Sequence, residues 1–478
     1  MESEIHSRKP HIAIFPLCFG MGHLIPIAEF TKRLCTHHGF SVTLVISYWY
    51  CTSRQVTFIQ RLASSSLDIR VIEIPHIEIV EDEENMKIET RLSKFVEKAK
   101  PHVEAVLDSL QHSASPISAF VIDFFCTALF DVAAKFHIPT HIFFAGPASV
   151  LCLMLHLPKL VSEIEVSFKD ADFAVEIPGL PLIPARDMPT PIQDRSDSAF
   201  KWFVHHSSRF HEAAGILINT FAELEEDVVN ALREGKVLSS SAAAMPSIYP
   251  VGPLISSKSD RPDDSECLKW LDQQPPSSVL FVSFGSGATL SVEQIAELAL
   301  GLEASGHRFL WVVRGPHKYI TFSPKQETSV SHLLPEGFES RTKDRGLVVP
   351  FWAPQVPVLS HPSTGGFFSH SGWNSTLESI SHGVPIISWP FFAEQRLNRF
   401  LLVNQYKVAI EAKTETDGFL RREEAERVVR ELMEGKEGAR VREKMREMKE
   451  KAKIALAEGG SSYNALAAAA SDFLQRRG

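Results

Sequence analysis

The sequence predicts an α/β fold made of two Rossmann-like, doubly wound halves facing each other across a cleft. Three observations lead there. Short apolar runs rich in β-branched residues alternate with helix-length amphipathic stretches, the pattern of parallel βαβ units. That alternation is interrupted once, across residues 236–278, where Ser, Pro and Asp take over. And 478 residues exceed what one hydrophobic core ordinarily supports.

In chain order, HIAIFPL (11–17) is a strand ending in Gly20-Met21-Gly22, followed by a helical pattern from Leu24 to about Cys35. SVTLVIS (41–47) and IRVIEIP (69–75) are further strands. The acidic run IEIVEDEENMK reads as a solvated loop before a helix over Ser93–Leu110. ISAFVIDF (117–124) and THIFFAG (140–146) are strands bracketing another helical stretch. Residues 165–200, with four prolines in EIPGLPLIPARDMP, read as a long surface loop before the strand GILINTF (215–221). After the linker, VLFVSFGS (279–286), FLWVVRG (309–315), GLVVPFW, TGGFFSH, PIISWPFF and VAIEAK are the strands of the second half. Ser291 with Gln294 forms a capping box that starts its first helix. A polar loop covers 316–341, and amphipathic helices over Arg421–Glu434 and Ser461–Gln475 close the chain. No sequence repeat recurs at a fixed short period.

Composition narrows the function. With 44% hydrophobic and 22% charged residues the chain is globular in type. A net charge of −9 argues against nucleic acid or an anionic membrane as partner, since both call for a basic face. The 6 cysteines show no metal or redox spacing, which fits a reducing compartment. The opening MESEIHSRKP is polar and mixed in charge, unlike a signal peptide, and no apolar run reaches the ~18 residues of a membrane span. The expectation is a cytoplasmic protein. The 32 Phe against 6 Tyr suit both core packing and a pocket for flat apolar ligands.

In folds of this class ligands bind beyond the carboxyl ends of the strands, so the loops there carry the chemistry. GMGHLIP (20–26) lacks the third glycine of a dinucleotide fingerprint. Its His23 sits at a helix start, where the positive end of the dipole favours a neutral imidazole able to act as a general base. The plainer reading is a packed or capping His. Asp123 ends the strand AFVID; a carboxylate on Nδ1–H of His23 would fix its tautomer and stabilise the imidazolium. The plainer reading is an Asp capping the next helix; the rival Asp131 lies mid-helix. FGSG (284–287) is a strand-to-helix turn that can also hold phosphate through Ser286 and backbone N–H groups. Asp170-Ala171-Asp172 has the form of a metal-binding DxD but no strand before it, and is set aside. Between Trp352 and Gln395, TGGFFSH runs through SGW into a helix opening on Asn374-Ser375, which makes an anion site. Ser375 and Glu378 also match a capping box, a sufficient structural reason for both.

The segment WAPQVPVLSHPSTGGFFSHSGWNSTLESISHGVPIISWPFFAEQ (352–395) resembles, nearly residue for residue, the signature box of plant family 1 UDP-sugar glycosyltransferases. GMGHLIP, VID, ILINTF, YPVGPL and VSFGSG resemble further landmarks of that family, so the likeness spans essentially the whole chain. Its nearest subgroup is the hydroquinone and phenylpropanoid glucosyltransferases. The resemblance implies a GT-B fold with an acceptor-binding domain over 1–245, a UDP-sugar-binding domain over 246–460, and a C-terminal helix over 461–478 packing back on the first. It implies that Trp352, with Ala353, stacks on uracil, that Gln355 contacts the nucleoside and that Glu378 holds the ribose hydroxyls. Ser286, His370, Asn374 and Ser375 would hold the diphosphate, and Trp373, Glu394 and Gln395 the sugar. His23 would be the base and Asp123 its partner. Phe19, Phe124, Phe144 and Phe392 would line the acceptor pocket. The implied reaction needs no cofactor or metal: a monomer uses UDP-glucose as donor substrate and a small aromatic acceptor, and forms a β-O-glucoside with inversion.

The sequence departs from the family at Ser371, where Cys is usual, at Phe144-Ala145-Gly146, which lacks a hydroxyl, and at Cys18-Phe19. Three other readings compete. Transfer to an activated aromatic carbon needs the same base. A nucleotide-sugar-binding protein without turnover would need neither His23 nor Asp123. A dehydrogenase would need the complete glycine fingerprint that is missing here.

Overall fold

The computed structural model describes residues 9–49, 51–79, 86–238, 244–256, 265–316 and 330–475. Contacts divide the chain into two units. The first comprises Met1–Arg186, Pro191–Leu254 and Ile454–Gly478, and the second Asp187–Thr190 and Ile255–Lys453.

The strands of the first unit are β1 (His11–Phe15), β2 (Ser41–Ile46), β3 (Ile69–Glu73), β4 (Ala119–Asp123), β5 (Thr140–Phe144), the short β6 (Ala174–Val175) and β7 (Ile183–Pro184), β8 (Gly215–Ile218) and β9 (Ser247–Pro250). Apart from the antiparallel hairpin β6–β7, they form a seven-stranded parallel sheet in the order β3-β2-β1-β4-β5-β8-β9. Every residue of β1, β4 and β5 is buried. A sheet covered on both faces requires that, and it is why these strands read as unbroken apolar runs rather than alternating ones. The strand order changes direction between β1 and β4, the topological switch of a doubly wound sheet.

The second unit holds β10 (Val279–Ser283), β11 (Arg308–Val313), β12 (Gly346–Pro350), β13 (Thr364–Ser369), β14 (Ile386–Ser388) and β15 (Ala409–Glu411). All are parallel, in the order β12-β11-β10-β13-β14-β15, with the switch between β10 and β13. The α/β class, with two Rossmann-like parallel sheets, is what the sequence predicts.

Several boundaries differ from expectation. The division at 245/246 falls one strand early: Ser247–Pro250 pairs with β8 and completes the first sheet, so the border lies after Leu254. The prolines around SIYP suggested a linker, but β9 is an edge strand, where a missing N–H costs no ladder bond. Residues 165–200 are not a plain surface loop; they contain β6, β7 and three 3₁₀ turns, and Ile183 and Met188 are fully buried. Residues 80–85 of the expected acidic loop (77–87), part of the linker, and residues 317–329 of the expected polar loop (316–341) lie outside the described residues, while the rest of that polar loop holds the 3₁₀ turn Ser331–Leu333 and most of helix Phe338–Thr342. Helix Ile88–Gln111 is longer than expected, and helices Ser53–Ala63, Ala148–Glu163, Ser198–Arg209 and Lys436–Leu456 were not anticipated. Helix Val292–Ser305 does start at Ser291, whose hydroxyl accepts from the Gln294 N–H at 3.2 Å, but the Gln294 side chain bonds the Leu420 backbone instead of closing the capping box, and the short helix Glu266–Leu271 comes before it. The last helix, Ser461–Gln475, is part of the first unit: Leu466, Ala469 and Phe473 join the core beneath β1 and β2.

Candidate functional site

In the first unit the loops after β1 and β4, on either side of the switch, carry His23 and Asp123. Helix Gly20–His38 starts directly after the β1 loop, so His23 lies in its first turn. Asp123 is the last residue of β4 and only 1% exposed. His23 Nδ1 lies 2.7 Å from Asp123 Oδ2, and the other carboxylate oxygen accepts the Phe125 N–H at 3.1 Å. The Asp123 carboxylate is therefore fixed by its own turn while it holds the imidazole. The rival Asp131 is a surface residue paired with Lys100 and Arg209.

Aromatic rings surround this pair. Phe124 stacks on His23 at 5.6 Å between centroids, Phe19 meets it edge-on at 6.5 Å, and Phe144 lies 4.8 Å from Phe124. Phe19, Phe124 and Phe144 thus converge on His23, with Phe144 fully buried behind the others. Phe392 belongs to the second unit and packs against that unit's core. Next to Phe19 is a small recess lined by Phe15, Leu17, Cys18, Ser47, Trp49 and Phe95. Trp49 and Phe95 stack with ring planes 5° apart. Sequence reasoning missed both: Trp49 stands in the loop after β2 and Phe95 inside helix Ile88–Gln111, and no local pattern pairs them.

In the second unit the site is built on the loops after β10, β12, β13 and β14. His370 follows β13, is 9% exposed, and sits against two glycines: a Cβ at Gly285 or Gly372 would lie 2.8 or 2.5 Å from its Nε2. Burial pulls its pKa down to about 4, so at neutral pH it offers a neutral N–H rather than a charge. Its Nδ1 is buried without a hydrogen-bond partner, as expected of a group placed to meet a polar ligand. Helix Trp373–His382 opens immediately after, and its first helical bond runs from the Thr376 N–H to the Gly372 carbonyl. The N–H groups of Trp373, Asn374 and Ser375 stand ahead of that bond, at the positive end of the dipole. The Trp373 indole itself is buried, at 4% exposure.

The capping box expected at Ser375 and Glu378 is not formed. The N-cap is Gly372, and both side chains turn instead to Gln355, whose amide nitrogen donates to Ser375 Oγ at 2.9 Å and to Glu378 Oε2 at 2.7 Å. Gln355 opens helix Gln355–Ser360 just after Trp352, while Ala353 is buried in the core. Burial raises the Glu378 carboxyl to about 7, with the Gln355 bond pulling the other way. Ser286 is exposed on the β10 loop. Arg314, unforeseen from sequence, ties that loop to the one before Trp352 by donating to the carbonyls of Ser286, Gly285 (3.4 Å) and Phe351 (3.1 Å). After β14, Glu394 is the N-cap of helix Gln395–Asn404. The Gln395 amide oxygen accepts the N–H groups of Phe391 and Phe392 at 2.9 and 3.2 Å.

The loops after β12, β13 and β14 each hold one non-glycine residue in the left-handed region: Phe351 (φ 61°), Ser371 (φ 62°) and Ala393 (φ 53°). Such residues persist only where their surroundings over-determine them, and they cluster at functional sites. At Ser371, which is fully buried, the N–H is held by Ser369 Oγ and the carbonyl by Asn398. Among the described residues no cluster of three or more His, Cys, Asp or Glu is placed to hold a metal ion. Asp170 and Asp172 are exposed.

Comparison with known proteins adds the following. Residues 202–436 match the family model of UDP-glucoronosyl and UDP-glucosyl transferase. The chain is 45% identical over 467 residues to UDP-glycosyltransferase 72B1 of Arabidopsis thaliana, covering 96% of this chain and 95% of that protein. It is 42% identical over 464 residues to hydroquinone glucosyltransferase of Rauvolfia serpentina, covering 96% of each. Among solved structures, Phytolacca americana UGT2 complexed with UDP-2fluoro-glucose and pterostilbene matches with a TM-score of 0.87 at 41% identity, over 98% of this chain and 100% of that one.

Proposed function

The chain belongs to the plant UDP-glycosyltransferase family, and on that premise we propose that it transfers glucose from UDP-glucose to a hydroxyl of a small phenolic acceptor, inverting the sugar configuration without a metal. The observation that carries the proposal is the 2.7 Å His23–Asp123 pair set among aromatic rings at the switch point of the first sheet. A hydroquinone glucosyltransferase among the relatives, and an aromatic acceptor beside a UDP-sugar in a solved neighbour, support the acceptor class.

Donation from Nδ1–H to Asp123 makes Nε2 the basic nitrogen of His23. A phenol, with a pKa near ~10, loses its proton to that nitrogen as its oxygen attacks C1 of the sugar. Asp123 stabilises the imidazolium that forms. The C1–O bond to the diphosphate breaks on the opposite face, so an α-linked donor gives a β-glucoside. Charge gathering on the departing diphosphate is met by donors fixed in advance: the opening N–H groups of helix Trp373–His382, Ser375 Oγ and neutral His370. Gln355 and Glu378 hold the nucleoside beside Trp352, and Glu394 with Gln395 the sugar. The stacked rings of Trp49 and Phe95 extend the acceptor wall beyond the foreseen phenylalanines. We place the enzyme in the cytoplasm. All 6 cysteines are free, and no helix among the described residues is long and apolar enough to cross a membrane.

Incubation with UDP-glucose and a panel of phenols, read by mass, tests the proposal. His23→Ala is expected to lower turnover by roughly 10²–10⁴-fold while leaving UDP affinity unchanged. Near-native turnover in that variant would overturn the mechanism. Acid hydrolysis of the product is expected to release glucose, as an O-glucoside does; survival of the conjugate would mean transfer to carbon.

A further inference from the structure

The turn Phe391–Gln395, which we take to recognise the sugar, is not held by its own loop alone. The segment Asp187–Thr190 lies far away in sequence yet is part of the second unit. The Thr190 N–H donates to the Ala393 carbonyl at 2.8 Å. Ala393 is the left-handed residue of that turn, and its carbonyl direction sets how Glu394 and Gln395 leave it. On the other side, Gln395 clasps the N–H groups of Phe391 and Phe392. The segment is itself anchored by charge: the Asp187 carboxylate, 5% exposed, pairs with the Arg399 guanidinium, which also pairs with Glu411 at the end of β15. Arg399 stands one turn into helix Gln395–Asn404. Between them on that helix, Asn398 donates to Glu394 Oε1 at 3.4 Å and to the Ser371 carbonyl at 2.9 Å.

We propose that Asp187–Thr190 is a strap that positions the sugar-recognising turn of the donor site, with Asp187 and the Thr190 N–H as positioning residues. The inference rests on the reading of Glu394 and Gln395 as the sugar contacts. The bonds described run from the strap to the turn after β14 and the helix that follows it, whereas the uridine and diphosphate elements stand on the loops after β10, β12 and β13. Loosening it therefore separates recognition of the sugar from recognition of the nucleotide. Ala393 supports this division, because a non-glycine left-handed residue relaxes when an external clamp is lost. A carboxylate buried against a guanidinium is suited to the clamp, since removing it leaves Arg399 held by Glu411 alone and shifts the helix that carries the turn.

The test compares binding of UDP and of UDP-glucose by calorimetry in wild type, Asp187→Asn, Asp187→Glu and Thr190→Pro. Expected for Asp187→Asn and Thr190→Pro is a UDP-glucose affinity about tenfold weaker with UDP affinity within about twofold, a KM raised in parallel, and partial recovery in Asp187→Glu. Equal weakening of both ligands would mean general damage to the unit, and no change in either would mean the strap is idle; both overturn the inference. Failure of the wild type to bind UDP-glucose would instead overturn the reading on which it rests. If Asp187→Asn does not fold, Thr190→Pro, which keeps the ion pair, decides the matter alone.

Discussion

Glu378 has an environment that departs from its expected chemistry. The sequence offered a capping carboxylate; burial makes it a group that titrates at about 7. The sign of the effect follows from its proposed duty. Below that value the carboxyl keeps its proton and accepts ribose hydroxyls poorly; above it the carboxylate accepts them well. UDP affinity is accordingly expected to rise up to about tenfold between about pH 6 and about pH 8, and Glu378→Gln to flatten the profile, as read by calorimetry. His370, held near 4, contributes nothing to that slope. At this scale the sequence was legible where a residue ends a patterned strand. Asp123 and His370 sit there, and His23 follows one turn later. It was silent where two residues meet across the chain without periodicity: Arg314 with Ser286, or Asp187 with Arg399, 212 positions apart. Trp49 and Phe95 were hidden for the same reason, since their stacking belongs to no local pattern.

The turns that connect strand to helix owe their shape to what is missing at two positions. Gly372 has an ordinary helix N-cap backbone, φ −63°, so its requirement is one of space and not of conformation. A methyl there would lie 2.5 Å from His370 Nε2. Gly372→Ala is expected to displace the imidazole and weaken UDP binding tenfold or more, with a stability loss of only about 1–3 kcal/mol by thermal unfolding. Unchanged UDP affinity would show that His370 is dispensable. Elements were read well when buried on both faces, as for β1, β4 and β13, and poorly when propensity and context disagreed. Strand β9 carries a proline that only an edge position admits. Helix Lys436–Leu456 is charged nearly all round; its core contact is a thin row, Val441, Met445, Met448, Ala452 and Ala455, spaced alternately by four and three. That row was present in the sequence and was masked by the surrounding Lys, Arg and Glu.

Over the whole molecule, the two-sheet architecture was legible because alternation of strand and helix survives every loop, while the exact seams were not. A seam is set by which sheet an edge strand completes, and the apolar content of SIYP does not say. The closing helix is the clearest case of distant assembly. Phe473 is fully buried, meeting Phe40 and His141 edge-on, and Asp472 Oδ2 lies 3.0 Å from His141 Nε2. Removing Ile454–Gly478 is expected to unfold the first unit, exposing it to limited proteolysis, while the second still binds UDP by calorimetry. Protection of the first unit in that truncation would mean the helix is an accessory.

The same helix bears on how the protein is made. A ribosome releases residues in order, and most of the sheet with the His23–Asp123 pair is translated before the second unit. Its core lacks Leu466, Ala469 and Phe473 until the whole second unit has been read. The apolar surface under β1 and β2 is therefore exposed through the synthesis of the entire second unit, and the earlier half is completed only after the later one. Chaperone occupancy on translating chains should persist until Phe473 has emerged, and a stop placed before Leu466 should leave an insoluble product.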